Sequence, residues 1–353
     1  MPERRAGPSR HPMKRLEYPP HSLLLRHAAV AACALAGLAA CLALPQGASA
    51  KTRLVRRYRP GQVLIYQTSL KTQVRISSNP EELKALLPPL PHAVSTRQQN
   101  TITVRSIDEK GVAAVETRFD RFEFDTEIDP SLPEDIREAA TSAEDAFARR
   151  LNGQTLTARY DRAGRLLGFD GAEEALKELD APMQEAAMQT LRVFLEQMGG
   201  GALYPDHPLK DGEEWKLSLS APPSKGFPFK MEGENTLRFV GKVRHGKIKA
   251  AVIESRFTNQ LTPSEDESLG GASIQSRAQA MGLDISIRGE GEGRLLVALD
   301  DGRVLQNQTT IRQTLLALMP KNSGTQIGIK GPLSLQIESE TTVHVDQSDK
   351  PLP

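Results

Sequence analysis

The phrases "RPGQVLIYQTSL" (59–70) and "KDGEEWKLSLS" (210–220) obey one rule: two non-apolar positions, a glycine, two spacers, then alternating apolar and polar residues. Alternation of period two places one set of side chains on each face of a strand. A glycine just before it supplies the left-handed backbone of a tight turn. The likeness continues downstream of both phrases. "TITVRSIDEKGVAAVETRF" (101–119) and "TLRFVGKVRHGKIKAAVIESRF" (236–257) are both hairpins by pattern, turning at Gly111 and Gly246, and their return strands "AAVETRF" and "AAVIESRF" nearly coincide. "LTARYDRAGRLLGF" (156–169) is answered by "LLVALDDGRVLQNQ" (295–308). The offsets, at Gly61 to Gly212, Ala113 to Ala250 and Gly164 to Gly302, are 151, 137 and 138 residues. Three phrases recurring in one order point to two related β-rich units, 51–201 and 202–353.

The other strands predict an antiparallel sheet with one wet face. In "FDRFEFDTEI" (119–128), Phe122, Phe124 and Ile128 share one parity and Arg121, Glu123, Asp125 and Glu127 the other. The acidic set lacks the loop spacing and turning glycine of a calcium site and is expected to face solvent. "GPLSLQIESETTVHV" (331–345) alternates Leu333, Leu335 and Ile337 and supplies the closing strands. Two helical regions interrupt the first unit. Residues 132–151 are rich in Ala, Glu and Arg. In 172–198, Leu176, Leu179, Met183, Ala187, Leu191, Phe194 and Met198 recur at steps of three and four, which makes one apolar helix face broken near Pro182. The fold expected is mainly β (α+β): a curved antiparallel sheet of two related units, with helices 132–151 and 172–198 packed on one face.

Residues 1–50 hold six basic residues, a 17-residue apolar run from Ala28 to Leu44 and the sequence Ala48, Ser49, Ala50. This is the order of a secretory signal cleaved before Lys51, with Met1 or Met13 as the start. A membrane anchor is one alternative. Another is lipidation at Cys41, since "LAAC" (38–41) is similar to the lipobox of bacterial lipoproteins. Both cysteines, Cys33 and Cys41, lie in this segment, so the 303 residues after it contain no thiol, which excludes disulfides and cysteine-ligated metals there. Without the segment, 39 basic and 42 acidic residues remain, a net charge of about −3 that gives no electrostatic reason to bind nucleic acid.

Chemistry is sparse. His92, His207, His245 and His344 are isolated in sequence, no G-x-S-x-G elbow or phosphate loop occurs, and "GEGEG" (289–293) is followed by strand alternation rather than a helix. No cofactor and no catalysis are expected; a hydrolytic enzyme ranks third among the functional readings. The helical stripe suits either permanent core or a lid over a hydrophobic ligand, with methionines giving a pliable surface. On the lid reading the ligand-binding residues are Leu176, Leu179, Met183, Leu191, Phe194 and Met198.

The phrases "YRPGQVLIY", "VRSIDEKGVAAVE", "YDRAGRLLGF" and "LKDGEEWKL" resemble those of a group of uncharacterised secreted bacterial β-rich proteins, over most of 55–315. In plan, a curved sheet with helices on its concave side is similar to the periplasmic carriers and receptors of lipoproteins and lipids. That likeness implies an exported, periplasmic or secreted, non-catalytic protein binding a hydrophobic ligand or an envelope protein. A structural or assembly component of the envelope without a ligand pocket is the competing expectation.

Overall fold

The computed structural model describes residues 51–81, 92–127, 148–177, 203–221, 229–263, 284–319 and 333–348, with 134, 184, 188, 191, 192, 194–196, 199 and 223 between them. Eleven strands form one antiparallel sheet that does not close: β1 (Val63–Asn79), β2 (Ala93–Ile107), β3 (Ala113–Glu127), β4 (Thr155–Tyr160), β5 (Leu166–Asp170), β6 (Glu214–Ala221), β7 (Phe229–His245), β8 (Ile248–Pro263), β9 (Asp284–Ala298), β10 (Val304–Met319) and β11 (Leu333–Ser348). The spatial order is β5-β4-β3-β2-β1-β11-β10-β9-β8-β7-β6. The segment expected to supply closing strands is therefore one strand, β11, in the middle of the sheet between β1 and β10. The edge strands β5 and β6 are consecutive in the chain, and the segment between them carries α1 (Ala172–Leu176) and further described helical residues up to 199, while residues 134 and 148–151, before β4, are helical as well.

The paired phrases adopt one geometry. Gly61 (φ 77°) donates to the Val104 carbonyl, Gln62 to Arg59, and Val104 back to Gln62. Gly212 (φ 81°) donates to the Phe239 carbonyl, Glu213 to Lys210, and Phe239 back to Glu213. The two turns thus make the same three bonds, at the starts of β1 and β6. The other pairs fall on β2–β3 and β7–β8, and on β4–β5 and β9–β10. Each pair lies five strands apart along the chain and six places apart across the sheet. All four of these hairpins turn at one end of the sheet, here called the lower end.

Register divides the side chains into two faces. One face carries the main core. Around the lower half of β1 to β4, Tyr66, Val104, Phe119, Leu156 and Tyr160 are buried together with Leu176 and Leu195. Around the lower half of β7 to β9, Trp215, Leu237, Phe239, Ile253 and Leu295 form a second cluster. Phe257, Ile311 and Val343 form a third, higher on the same face. Ala250, Val252, Leu296, Ala298 and Leu305 make a smaller cluster. On β8 and β9 these residues alternate with those of the second cluster, which explains the unbroken apolar runs "AAVI" and "LLVA": these hairpins are buried on both faces at the lower end.

Candidate functional site

The face that carries the main core, the inner face, changes character towards the upper end. Ile76, Ile337, Leu315, Ile287, Leu261 and Met231 sit directly opposite one another across β1, β11, β10, β9, β8 and β7, one aliphatic row spanning six strands. Only Leu261 is sealed, and the other five are half-buried. One step below runs Val74, Ser339, Gln313, Gly289, Asn259 and Gly233. The next row holds Thr72, Thr341, Ile311, Gly291, Phe257 and Asn235. None of these eighteen positions carries a charge, and Thr68, Val345, Asn307, Leu295, Ile253 and Phe239 below them are equally neutral.

The glycines of these rows are filled by neighbouring side chains. A methyl at Gly289 would stand 2.3 Å from Asn259 Oδ1, and one at Gly291 2.3 Å from the Phe257 ring. A methyl at Gly233 would come within 2.2 Å of the Thr258 carbonyl. Only glycine lets the strands and their side chains approach so closely. The string "GEGEG", expected to open a strand, therefore lies in the middle of β9, where it thins the wall of the inner face.

The opposite face is charged. Glu234, Thr258, Glu290, Arg312, Glu340 and Gln73 form one row across it, and Glu232, Gln260, Arg288, Thr314, Glu338 and Arg75 form the next. These rows line a broad depression of about 1180 Å³. The Arg312 guanidinium donates to Glu340 at 2.9 Å, which holds the arginine's proton more firmly than usual. Charges of both signs interleave, as on a solvated strand surface.

The lower end is stoppered. Residues 52–58 cross it, bridging to the segment before β6 through Thr52 and Leu209. Gly302 lies so close beneath that a methyl there would meet the Val55 carbonyl at 2.4 Å. Arg56 is buried with its guanidinium 4.5 Å from the Tyr58 ring, which stacks on Tyr160 at 5.5 Å. Beside it Asp301, fully buried, accepts from Arg303 and from Gln62. Four tyrosine hydroxyls donate to backbone carbonyls: Tyr58 to Gly199, Tyr66 to Val304, Tyr160 to Leu195 and Tyr204 to Gly302. Burial raises all four phenols, Tyr66 to about 12, so each stays a neutral donor. This assembly is a plug.

Of the stripe singled out in sequence, Leu176 is sealed at 2 % exposure in the lower core. Leu191 and Phe194 are half-buried against that core, with the Phe194 ring 6.3 Å from Phe119. Leu195, off the stripe, is fully buried. Gly199, a helical residue of the same segment, packs hard against the β4–β5 turn, where a methyl on it would meet the Gly164 carbonyl at 2.4 Å. Leu179, Met183, Met198 and Cys41 lie outside the described residues. The aliphatic row is hidden in the sequence because its members come from six separate strands. The available signal was weak: inward positions without charge on every strand.

Among the described residues no group of three or more His, Cys, Asp or Glu is placed to hold a metal. His207 Nε2 lies 2.7 Å from Glu213 Oε1, and His344 pairs with Asp346; both are two-member contacts at the surface. No described helix is long and apolar enough to cross a membrane. No protein-family model matches this chain, and no curated protein matches it significantly.

Proposed function

We propose that this protein is a non-catalytic binding protein for a hydrophobic ligand, exported to the cell envelope, and that the ligand lies on the upper inner face of the sheet rather than against the helical stripe. The observation that carries this reading is the aliphatic row of Ile76, Ile337, Leu315, Ile287 and Met231, half-buried beside rows that hold no charge. Such a surface favours hydrocarbon, at about 25 cal/mol for each Å² removed from water. The plug at the lower end supports entry from the upper one. The matched turns of β1 and β6 support a duplicated sheet, whose concatenation yields a wall wide enough for an acyl chain.

The test is solvent extraction of the protein purified from its native host, followed by mass spectrometry, with titration of the extracted protein by the uncharged fluorophore N-phenyl-1-naphthylamine. Near-stoichiometric lipid and saturable fluorophore binding are expected. A protein that carries no lipid and leaves the fluorophore dark is an envelope scaffold instead.

A further inference from the structure

Resting on that reading, the structure points to the class of ligand: we propose an uncharged amphiphile, whose hydrocarbon lies along the aliphatic row and whose head presents a hydroxyl or amide group to Asn259 and Asn235. Both asparagines face inwards, Asn259 in the row just below the aliphatic one and Asn235 one row deeper on the adjacent strand. Asn235 is 5 % exposed, and the Oδ1 atoms of both are buried without a hydrogen-bond partner. Their polar neighbours differ. The Thr72 and Thr341 hydroxyls bond to one another at 2.9 Å, and Asn307 Oδ1, deeper still, accepts from Thr309. Asn307 Nδ2 is again left without a partner.

A buried acceptor without a donor is costly, and native chains satisfy nearly all of them. Two such acceptors on adjacent strands match a group that donates, as a hydroxyl or an amide N–H does. Gly289 fixes the position of the first, since the Asn259 amide lies over the space a side chain there would fill. Charge selects against the other common head. From the row of Ile76 down to that of Thr68, no cation stands on the inner face of β1 or β7 to β11 to pair with a carboxylate or phosphate. An anion buried there would lose its hydration with no compensation from these strands.

The experiment uses the delipidated protein loaded with N-phenyl-1-naphthylamine and three competitors of equal chain length: 1-monolauroylglycerol, methyl laurate and, at pH 8, laurate. Monolauroylglycerol should displace the fluorophore at a concentration about fivefold below that of methyl laurate, the equivalent of one added hydrogen bond, and laurate should need about tenfold more than methyl laurate. In Asn259→Leu the first difference should vanish, with an unchanged circular-dichroism spectrum and denaturation midpoint showing that the variant is folded; a difference that persists would also overturn the assignment. Equal displacement by monolauroylglycerol and methyl laurate in the unmodified protein, or tightest binding of laurate, would overturn the assignment and leave the hydrophobic-ligand reading standing. If the fluorophore itself does not bind, that reading fails and this one with it.

Discussion

At the scale of the residue, the turns carry the most information. Gly61 and Gly212 take φ near +80°, a backbone that side chains with a Cβ resist, and each donates across to the neighbouring strand. The aspartates of two matched hairpins act alike as well. Asp161 accepts from the backbone of Ala163 and Arg165 and from the Arg165 guanidinium, and Asp301 accepts from the backbone and guanidinium of Arg303. Partial burial pushes the Asp161 carboxyl up, but the bonds from Arg165 and Ala163 outweigh it and hold the group below the ordinary carboxylate range. A folded value below the unfolded one means stability that is present above the unfolded value and lost as pH falls through the folded one. Replacement by asparagine should therefore cost about 0.5–1 kcal/mol at pH 7, a modest figure because the turn is solvated. The gap between the two proteins should close below about pH 4. Denaturant midpoints of both proteins from pH 7 to pH 3 check this; a gap that does not narrow on acidification would show that the carboxylate's charge contributes nothing.

At the scale of the element, long strands tolerate two environments. The lower halves of β7 to β9 pack tightly, whereas the upper halves of β7 and β9 present half-buried aliphatics on one side and charge on the other. The helical segment after α1 belongs with the tightly packed end. Leu195 is sealed and Phe194 is only half-buried, so the two neighbouring residues should respond differently to truncation. Leu195→Ala should destabilise the protein by roughly 2–5 kcal/mol, as for Leu237→Ala on β7, and Phe194→Ala by less than either, about 1–2 kcal/mol. Midpoints from chemical denaturation rank the three. A Phe194→Ala loss equal to that of Leu195→Ala would mean the whole stripe is sealed core. A loss near zero would restore the segment as a lid.

At the scale of the whole molecule, the sheet sorts charge. Across six strands of its upper half, every charged side chain in the paired rows lies on one face and none on the other. A glutamate at Leu315, in the centre of the aliphatic row, should abolish fluorophore binding, because an uncompensated carboxylate would meet the hydrocarbon directly. A lysine at Thr258, between Glu234 and Glu290 on the charged face, should leave binding unchanged. Fluorescence titration of both variants decides the matter: loss with Thr258→Lys, or retention with Leu315→Glu, would place the ligand elsewhere.

Much of this was legible in the sequence, because alternation and turn chemistry are local. The parity of Phe122 and Phe124 against Arg121 and Glu123 specifies a half-buried strand without reference to any partner, and the glycines at 61, 111, 164, 212, 246 and 302 take the positive φ that their turn positions require. The stripe at 172–198 was equally visible as an apolar helix face, but what it packs on was not, since Leu176 reaches a core built by β1 to β4 from far along the chain. Nor could sequence reveal that β11 returns to the middle of the sheet, or that Ile76 stands opposite Ile337 and Asn259 opposite Gly289. Periodicity along a strand sets which way each side chain points. Pairing between strands sets which side chains become neighbours, and that depends on register over separations of up to about 280 residues, a choice only the assembled sheet makes.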